Sequence, residues 1–354
     1  MRASPLLLLL ATVACIGADA PADAATVPPA TTATDTAPRI VALDSARLAR
    51  AYDRAAELPR LRSLLVQWRD TLVGERYFAG ARATTPANVK SASKSVLATL
   101  LAIAVQEGHL RLDQTVGELL PDARGLDPAK RAITVEDLVS MRAGLQSTSF
   151  GTYGSWVTSR DWVQDALRRP MVAEPGHRGG PMIYSTGSSH LLSAILTRAT
   201  GRSTLAYGRR VLARPLGITL RPWATDPQGV YFGGNEMRFT PREMVAFGTL
   251  YLHRGRAPDG TQLVSPAWID SAWVVRGRSP WNGHGYGYGW WIRETRGRPV
   301  YFSWGYGGQF VFVVPSLELV VVTTSDPNAA SRDGGHLDAI HRLLDDEIVP
   351  AVGG

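Results

Sequence analysis

Cysteine is almost missing from this 354-residue sequence: the single one, Cys15, falls in an N-terminal apolar run. A folded domain downstream of it has no disulfide, no thiolate nucleophile and no cysteine-ligated metal. Lysine is nearly as scarce. Of 38 Lys and Arg residues only Lys90, Lys94 and Lys130 are lysine. The net charge of +7 is spread as single arginines and short pairs such as Arg168-Arg169 and Arg209-Arg210. The basic stripe that nucleic-acid binding needs is missing, so no nucleic-acid partner is expected. No G-x-S-x-G elbow occurs, which argues against an α/β-hydrolase. His109, His177, His190, His253, His284, His336 and His341 are scattered without H-E-x-x-H spacing, so neither a metal nor a cofactor is expected. No apolar run is long enough to span a bilayer as a helix.

What is there begins with Met1-Arg2 and an apolar run over 6–16, the shape of a secretion signal, with Ala22-Asp23-Ala24 as a cleavage site. Residues 1–24 are expected to be that signal. Residues 25–40, rich in Ala, Pro and Thr, are expected to be a flexible linker, because such composition buries too little surface to fold. Cys15 offers the alternative of a lipoprotein signal and a lipid anchor in the membrane. Either way the mature protein is exported, periplasmic or secreted.

Residues 41–354 read as one folded domain with a mostly helical subdomain over about 110–260. A helix is expected at 43–58, then a strand pair at 61–68 and 71–78 joined at Arg69-Asp70. Residues 91–107 are apolar on every side, the pattern of a buried helix. Thr134, Ser203 and Thr240-Pro-Arg-Glu243 look like helix starts. Strands return at 287–292, 300–304, 309–314 and 317–323, before a last helix at 331–348. Strands at both ends with helices between imply an α+β fold, an antiparallel sheet flanked by helices.

Ser91 and Lys94 form an S-x-x-K pair at the start of that buried helix, three residues apart and so on one face. A primary amine beside a hydroxyl is a nucleophile with its base. Arginine cannot give up its proton, whereas lysine can be tuned to do so. Tyr184, on a turn before a helix start, can aim its phenol into the same cleft, with a pKa lowered by a neighbouring cation. Ser303-Trp-Gly-Tyr-Gly-Gly-Gln309 joins two strands, and one of its amides, with the Ser91 N–H, can receive an oxyanion. Tyr153 and Trp156 fall in a Gly/Ser-rich stretch from Gly144 and are expected in a lid. His284 and Tyr286, near the glycine-rich turn, are expected to serve packing.

S-x-x-K, then Tyr-Ser-x, then the glycine-rich turn resembles the β-lactamase-like serine hydrolases. These include class C β-lactamases, D-alanyl-D-alanine carboxypeptidases, family VIII esterases and 6-aminohexanoate-dimer hydrolase. The resemblance runs from about Leu61 to the C-terminus. It is supported by 133–138, 141–145, 198–201, 226–229, 233–237 and 285–291. It implies a β-lactamase/transpeptidase-like fold, with Ser91 as nucleophile and Lys94 and Tyr184 as general base and acid. The oxyanion and substrate-binding set is Ser91, Tyr306, Gly307, Thr186 and Trp304. Two departures stand out. Thr186 replaces the usual asparagine of Tyr-x-Asn, and no cation stands at 303–306, where the family binds a substrate carboxylate.

The expected function is an exported, monomeric serine hydrolase that cleaves a small ester or amide through an acyl-enzyme. The alternatives are a β-lactamase or D-alanyl-D-alanine peptidase, and a non-catalytic binding protein on the same scaffold.

Overall fold

The structure, a computed structural model, describes residues 42–123, 125–328 and 335–353. The expected signal, linker and Cys15 lie outside the described residues. After helix α1 (Ser45–Ala56), capped by the Asp44 side chain, come strands β1 (Leu61–Trp68) and β2 (Thr71–Tyr77). Arg69 and Asp70 join them with φ of 47° and 62°, the left-handed pair that suits the twist of a two-residue hairpin.

A two-residue strand, β3 (Ala87–Asn88), leads into the buried helix α2 (Ser93–Gln106). Short helices follow, and then α3 (Thr186–Thr200). Strand β4 (Arg238–Phe239) pairs with β3, and α4 (Pro241–Leu252) carries the full capping box read at Thr240 and Glu243. Next are β5 (Gly277–Arg278), β6 (Gly285–Tyr286), β7 (Trp291–Thr295), β8 (Arg298–Gly305), β9 (Gln309–Val314) and β10 (Leu319–Ser325). Helix α5 (Gly335–Arg342) continues through a π-helical turn to Gly353.

Eight strands form one antiparallel sheet in the order β2-β1-β10-β9-β8-β7-β6-β5, so the early strand β1 and the late strand β10 lie side by side. Period-two alternation sends each side chain to one of two cores. Phe310, Phe312, Val314, Leu319 and Val321 pack beneath α1 and the C-terminal helices. Val311, Val313, Val320 and Val322 pack with α2, α3 and α4 on the other face. This explains why β9 is buried at every position.

Three expectations are corrected. The strand read at 287–292 begins only at Trp291, because Gly289 turns with φ +76° and its carbonyl accepts from Ser95 on α2. The strand read at 317–323 starts at Leu319, since Pro315–Leu317 forms a 3-10 turn and Glu318 is left-handed. The helical subdomain drawn to about 260 does not include α4. That helix packs on β1, β9 and β10, and Gln67 of β1 donates to its Thr249 at 2.8 Å.

Candidate active site

Ser91 lies in a 3-10 turn, Lys90–Ala92, that feeds α2 without a side-chain cap. It is therefore not serving as an N-cap residue. Lys90 is left-handed (φ 49°), and its N–H donates to the Asn88 side chain at 3.0 Å. Ser93 donates to the Lys90 carbonyl at 2.6 Å, and Val89 donates to the Met237 carbonyl at 3.0 Å. The turn is thus fastened on both sides, with the partly exposed Ser91 at its crest. A Cβ on Gly305 would stand 2.0 Å from the Val89 carbonyl oxygen. Only glycine lets the end of β8 approach the Ser91 turn so closely.

One helical turn on, Lys94 is 4% exposed. Its Nζ is 3.1 Å from Ser91 Oγ, 2.8 Å from the Gly234 carbonyl oxygen and 3.4 Å from Thr186 Oγ1. Burial lowers its pKa to about 7. No carboxylate is among these partners, so no opposite charge offsets the burial. A neutral amine donates two hydrogens and accepts one. In that form it can donate to the Gly234 carbonyl and Thr186 Oγ1 and accept from the Ser91 hydroxyl. A Cβ at Gly234 would stand 3.0 Å from the amine nitrogen, so glycine also sets that contact.

Tyr184 is buried just before α3, and the Lys94 nitrogen lies 5.0 Å from its ring centre. Burial pushes its phenol well above the ordinary value, with a hydrogen bond to Ser91 acting in the opposite direction. The expectation of a lowered Tyr184 pKa is therefore corrected: desolvation of the buried phenol outweighs the hydrogen bond to Ser91. At neutral pH the phenol keeps its proton and the amine is the group able to accept one.

Thr186 takes its place from the segment before Tyr153. Its N–H donates to Ser149 Oγ at 2.8 Å, and the two hydroxyls are also 2.8 Å apart. Ser147 donates to the Tyr184 carbonyl at 2.7 Å, and Thr148 Oγ1 accepts from Gly187 N–H at 2.7 Å. Three consecutive hydroxyls therefore clasp the Tyr184–Gly187 turn.

Ser91, Tyr184 and Thr186 open into a cleft of about 600 Å³, which Trp304, Tyr306 and Gly307 also line. Ser303 turns away: it is buried and faces the apolar pocket containing Val89, Val96 and Phe247. Trp291 lies 5.5 Å from the Tyr184 ring and 5.3 Å from Trp304. Phe150 and Trp281, in contact at 5.3 Å, stand exposed at the rim with Tyr306. Tyr153 lines the cleft and accepts from Asn235 at 3.0 Å. Trp156 does not belong to any lid. It is fully buried against Trp162, His190 and Phe232, anchoring the short helix that carries Tyr153. His284 packs on Phe302 and His341, as expected of a packing residue.

A profile of the Beta-lactamase family matches residues 62–344. The chain belongs to the Beta-lactamase family. It is 27% identical over 300 residues to penicillin-binding protein 4 of Amycolatopsis lactamdurans, covering 71% of this chain and 75% of that one. It is 25% identical over 307 residues to 6-aminohexanoate-dimer hydrolase of Paenarthrobacter ureafaciens, covering 77% and 76%. In structure it resembles a putative 6-aminohexanoate-dimer hydrolase from Bacillus anthracis, with a TM-score of 0.70 at 20% identity over 85% of this chain and 81% of that one. Membership makes this chain, in general terms, a serine hydrolase.

For a Beta-lactamase family member, several neighbours of Ser91 were not legible beforehand. Ser149 and Phe150 fall in the Gly/Ser-rich stretch expected to form a lid, and no motif marks Trp281. Cations do reach the cleft, though not from the 303–306 motif. Arg60, just before β1, and Lys90, paired with Glu236 at 2.9 Å, both line it. Arg60 comes from distant sequence, whereas Lys90 is the residue before Ser91. Among the described residues no group of three or more His, Cys, Asp or Glu side chains is set to hold a metal, and no helix is long and apolar enough to cross a membrane.

Proposed function

We propose that this protein is an exported serine hydrolase that cleaves a small ester or amide through an acyl-enzyme on Ser91. The observation that carries the reading is the buried Lys94 amine, 3.1 Å from Ser91 Oγ with its pKa lowered to about 7. Neutral Lys94 takes the Ser91 proton as Oγ attacks the substrate carbonyl. The oxyanion is received by the Ser91 N–H and by the N–H of Tyr306 or Gly307. Tyr184, still protonated, gives its proton to the departing oxygen or nitrogen and recovers one from the Lys94 ammonium. Water then attacks the acyl group by the reverse proton path, freeing the acid and restoring Ser91. Thr186 and Ser149 hold the amine in register, and Trp304 flanks the acyl group.

The test is covalent labelling by a neutral fluorophosphonate. Wild-type protein is expected to label at one site and to hydrolyse a nitrophenyl ester. Ser91→Ala is expected to lose both, with a rate drop of at least about 10³-fold. Labelling that survives in Ser91→Ala would overturn the assignment of the nucleophile, and a wild-type protein that never labels would favour a binding role.

A second reading, a β-lactamase or D-alanyl-D-alanine peptidase, draws support from Arg60 in the cleft wall. A guanidinium there suits a substrate carboxylate. Hydrolysis of a chromogenic cephalosporin much faster than a short nitrophenyl ester would favour it.

A further inference from the structure

Past the Lys90–Glu236 ion pair a second groove of about 590 Å³ opens. Lys90, Glu236 and Pro327 line both spaces, so the groove adjoins the cleft, with the ion pair as the neck between them. That neck is rigidly built. Lys90 and Glu236 are both left-handed, with φ of 49° and 70°, and Glu236 also accepts from Asn88 at 2.6 Å.

The two spaces differ in chemistry. The cleft is walled by aromatic rings, whereas the groove is walled by Arg62, Arg82 and Arg238. Its carboxylates are already engaged. Asp326 holds Arg62 at 2.8 Å, and Glu236 holds Lys90 at 2.9 Å. Arg82 and Arg238 are exposed and make no ion pair among the described residues. Arg238 is fixed by the β3–β4 ribbon: it pairs across from Asn88, and strand alternation buries its neighbour Phe239 while turning Arg238 outward. Two cations without carboxylate partners, in a groove that adjoins the Ser91 cleft, suit an anion. The neck does not repel an anion lying across it, because the Lys90–Glu236 pair is neutral as a unit.

We propose that this groove is a carboxylate subsite, so that the preferred substrate is an amphiphile with an apolar group in the aromatic cleft and a carboxylate on Arg82 and Arg238. The proposal rests on Ser91 being the nucleophile. The experiment compares kcat/KM for matched neutral and carboxylate-bearing esters in wild type and in Arg82→Ala/Arg238→Ala. One pair, nitrophenyl butyrate and nitrophenyl hemisuccinate, carries the charge on the acyl side. The other, phenyl butyrate and 4-butyryloxybenzoate, carries it on the alcohol side.

The double variant is expected to lose about tenfold on the anionic member of one pair, while both neutral esters change less than about twofold. The loss should shrink as salt screens the contact, and Arg82→Lys/Arg238→Lys should recover part of it. Equal loss on neutral and anionic esters, or no loss on either anionic ester, would overturn the subsite. Fluorophosphonate labelling of the same proteins separates the two claims. Labelling without charge discrimination defeats the subsite alone, whereas absence of labelling in wild type defeats the nucleophile and the subsite together.

Discussion

Replacing Lys94 by methionine should stabilise the protein near neutral pH while abolishing its activity. Burial takes the amine from an ordinary 10.5 to about 7. At about 1.4 kcal/mol per pH unit, that difference corresponds to roughly 5 kcal/mol. The direction follows from proton counts. Between about pH 7 and 10.5 the unfolded chain holds a proton on this lysine and the folded protein does not. Stability therefore rises with pH across that window, and the full penalty is felt at and below about pH 7. Methionine fills a similar volume and has no charge to lose. It also forfeits the hydrogen bond to the buried Gly234 carbonyl, 2.8 Å from Nζ, at a cost of about 1–3 kcal/mol.

The net expectation is a gain of about 2–4 kcal/mol near pH 7. By pH 10 the titration contribution has nearly gone, so the variant becomes the less stable protein and the two curves cross. Urea unfolding of both proteins from pH 6 to pH 10 reads this directly. The same titration governs catalysis: wild-type kcat/KM should rise about tenfold per pH unit below about 7 and then level off. Parallel stability curves, with no crossing, would refute the claim that burial holds this amine neutral.

Further outcomes follow from single contacts. Gly234→Ala puts a methyl group 3.0 Å from the Lys94 nitrogen; kcat/KM should fall about tenfold to a hundredfold with near-UV circular dichroism unchanged, and an unaffected rate would remove Gly234 from the amine's setting. Ser149→Ala strips the Thr186 N–H of its acceptor, so stability should drop by about 1–3 kcal/mol and the fall in activity should appear in kcat more than in KM. Trp281→Ala removes an exposed rim ring. KM for aromatic acyl esters should rise about fivefold while acetyl esters change little, and equal effects on both would show that the rim does not select acyl groups.

The elements that bear the site were readable where a local rule acts alone. The hairpin at Arg69-Asp70, the capping box at Thr240 and the all-round apolar helix after Ser91 each follow from backbone sterics or periodicity within about ten residues. The S-x-x-K pair was legible for the same reason, since one helical turn fixes both side chains. Alternating glycine and aromatic residues misled at 287–290, where a long-range bond from Ser95 to the Gly289 carbonyl outweighs strand periodicity.

By itself, then, the sequence determined the α+β order of elements, the Ser91–Lys94 pair and the choice of a titratable cation in an arginine-rich chain. Only the tertiary structure decided that Lys94 sits without a carboxylate neighbour, that Tyr184 stays protonated, and that Ser149 completes the setting of Thr186. It alone brought Arg60 to the cleft, and Arg82 and Arg238 to the groove beyond. The reason is physical: desolvation and charge pairing depend on what the fold packs around a group, and those neighbours come from segments far apart along the chain.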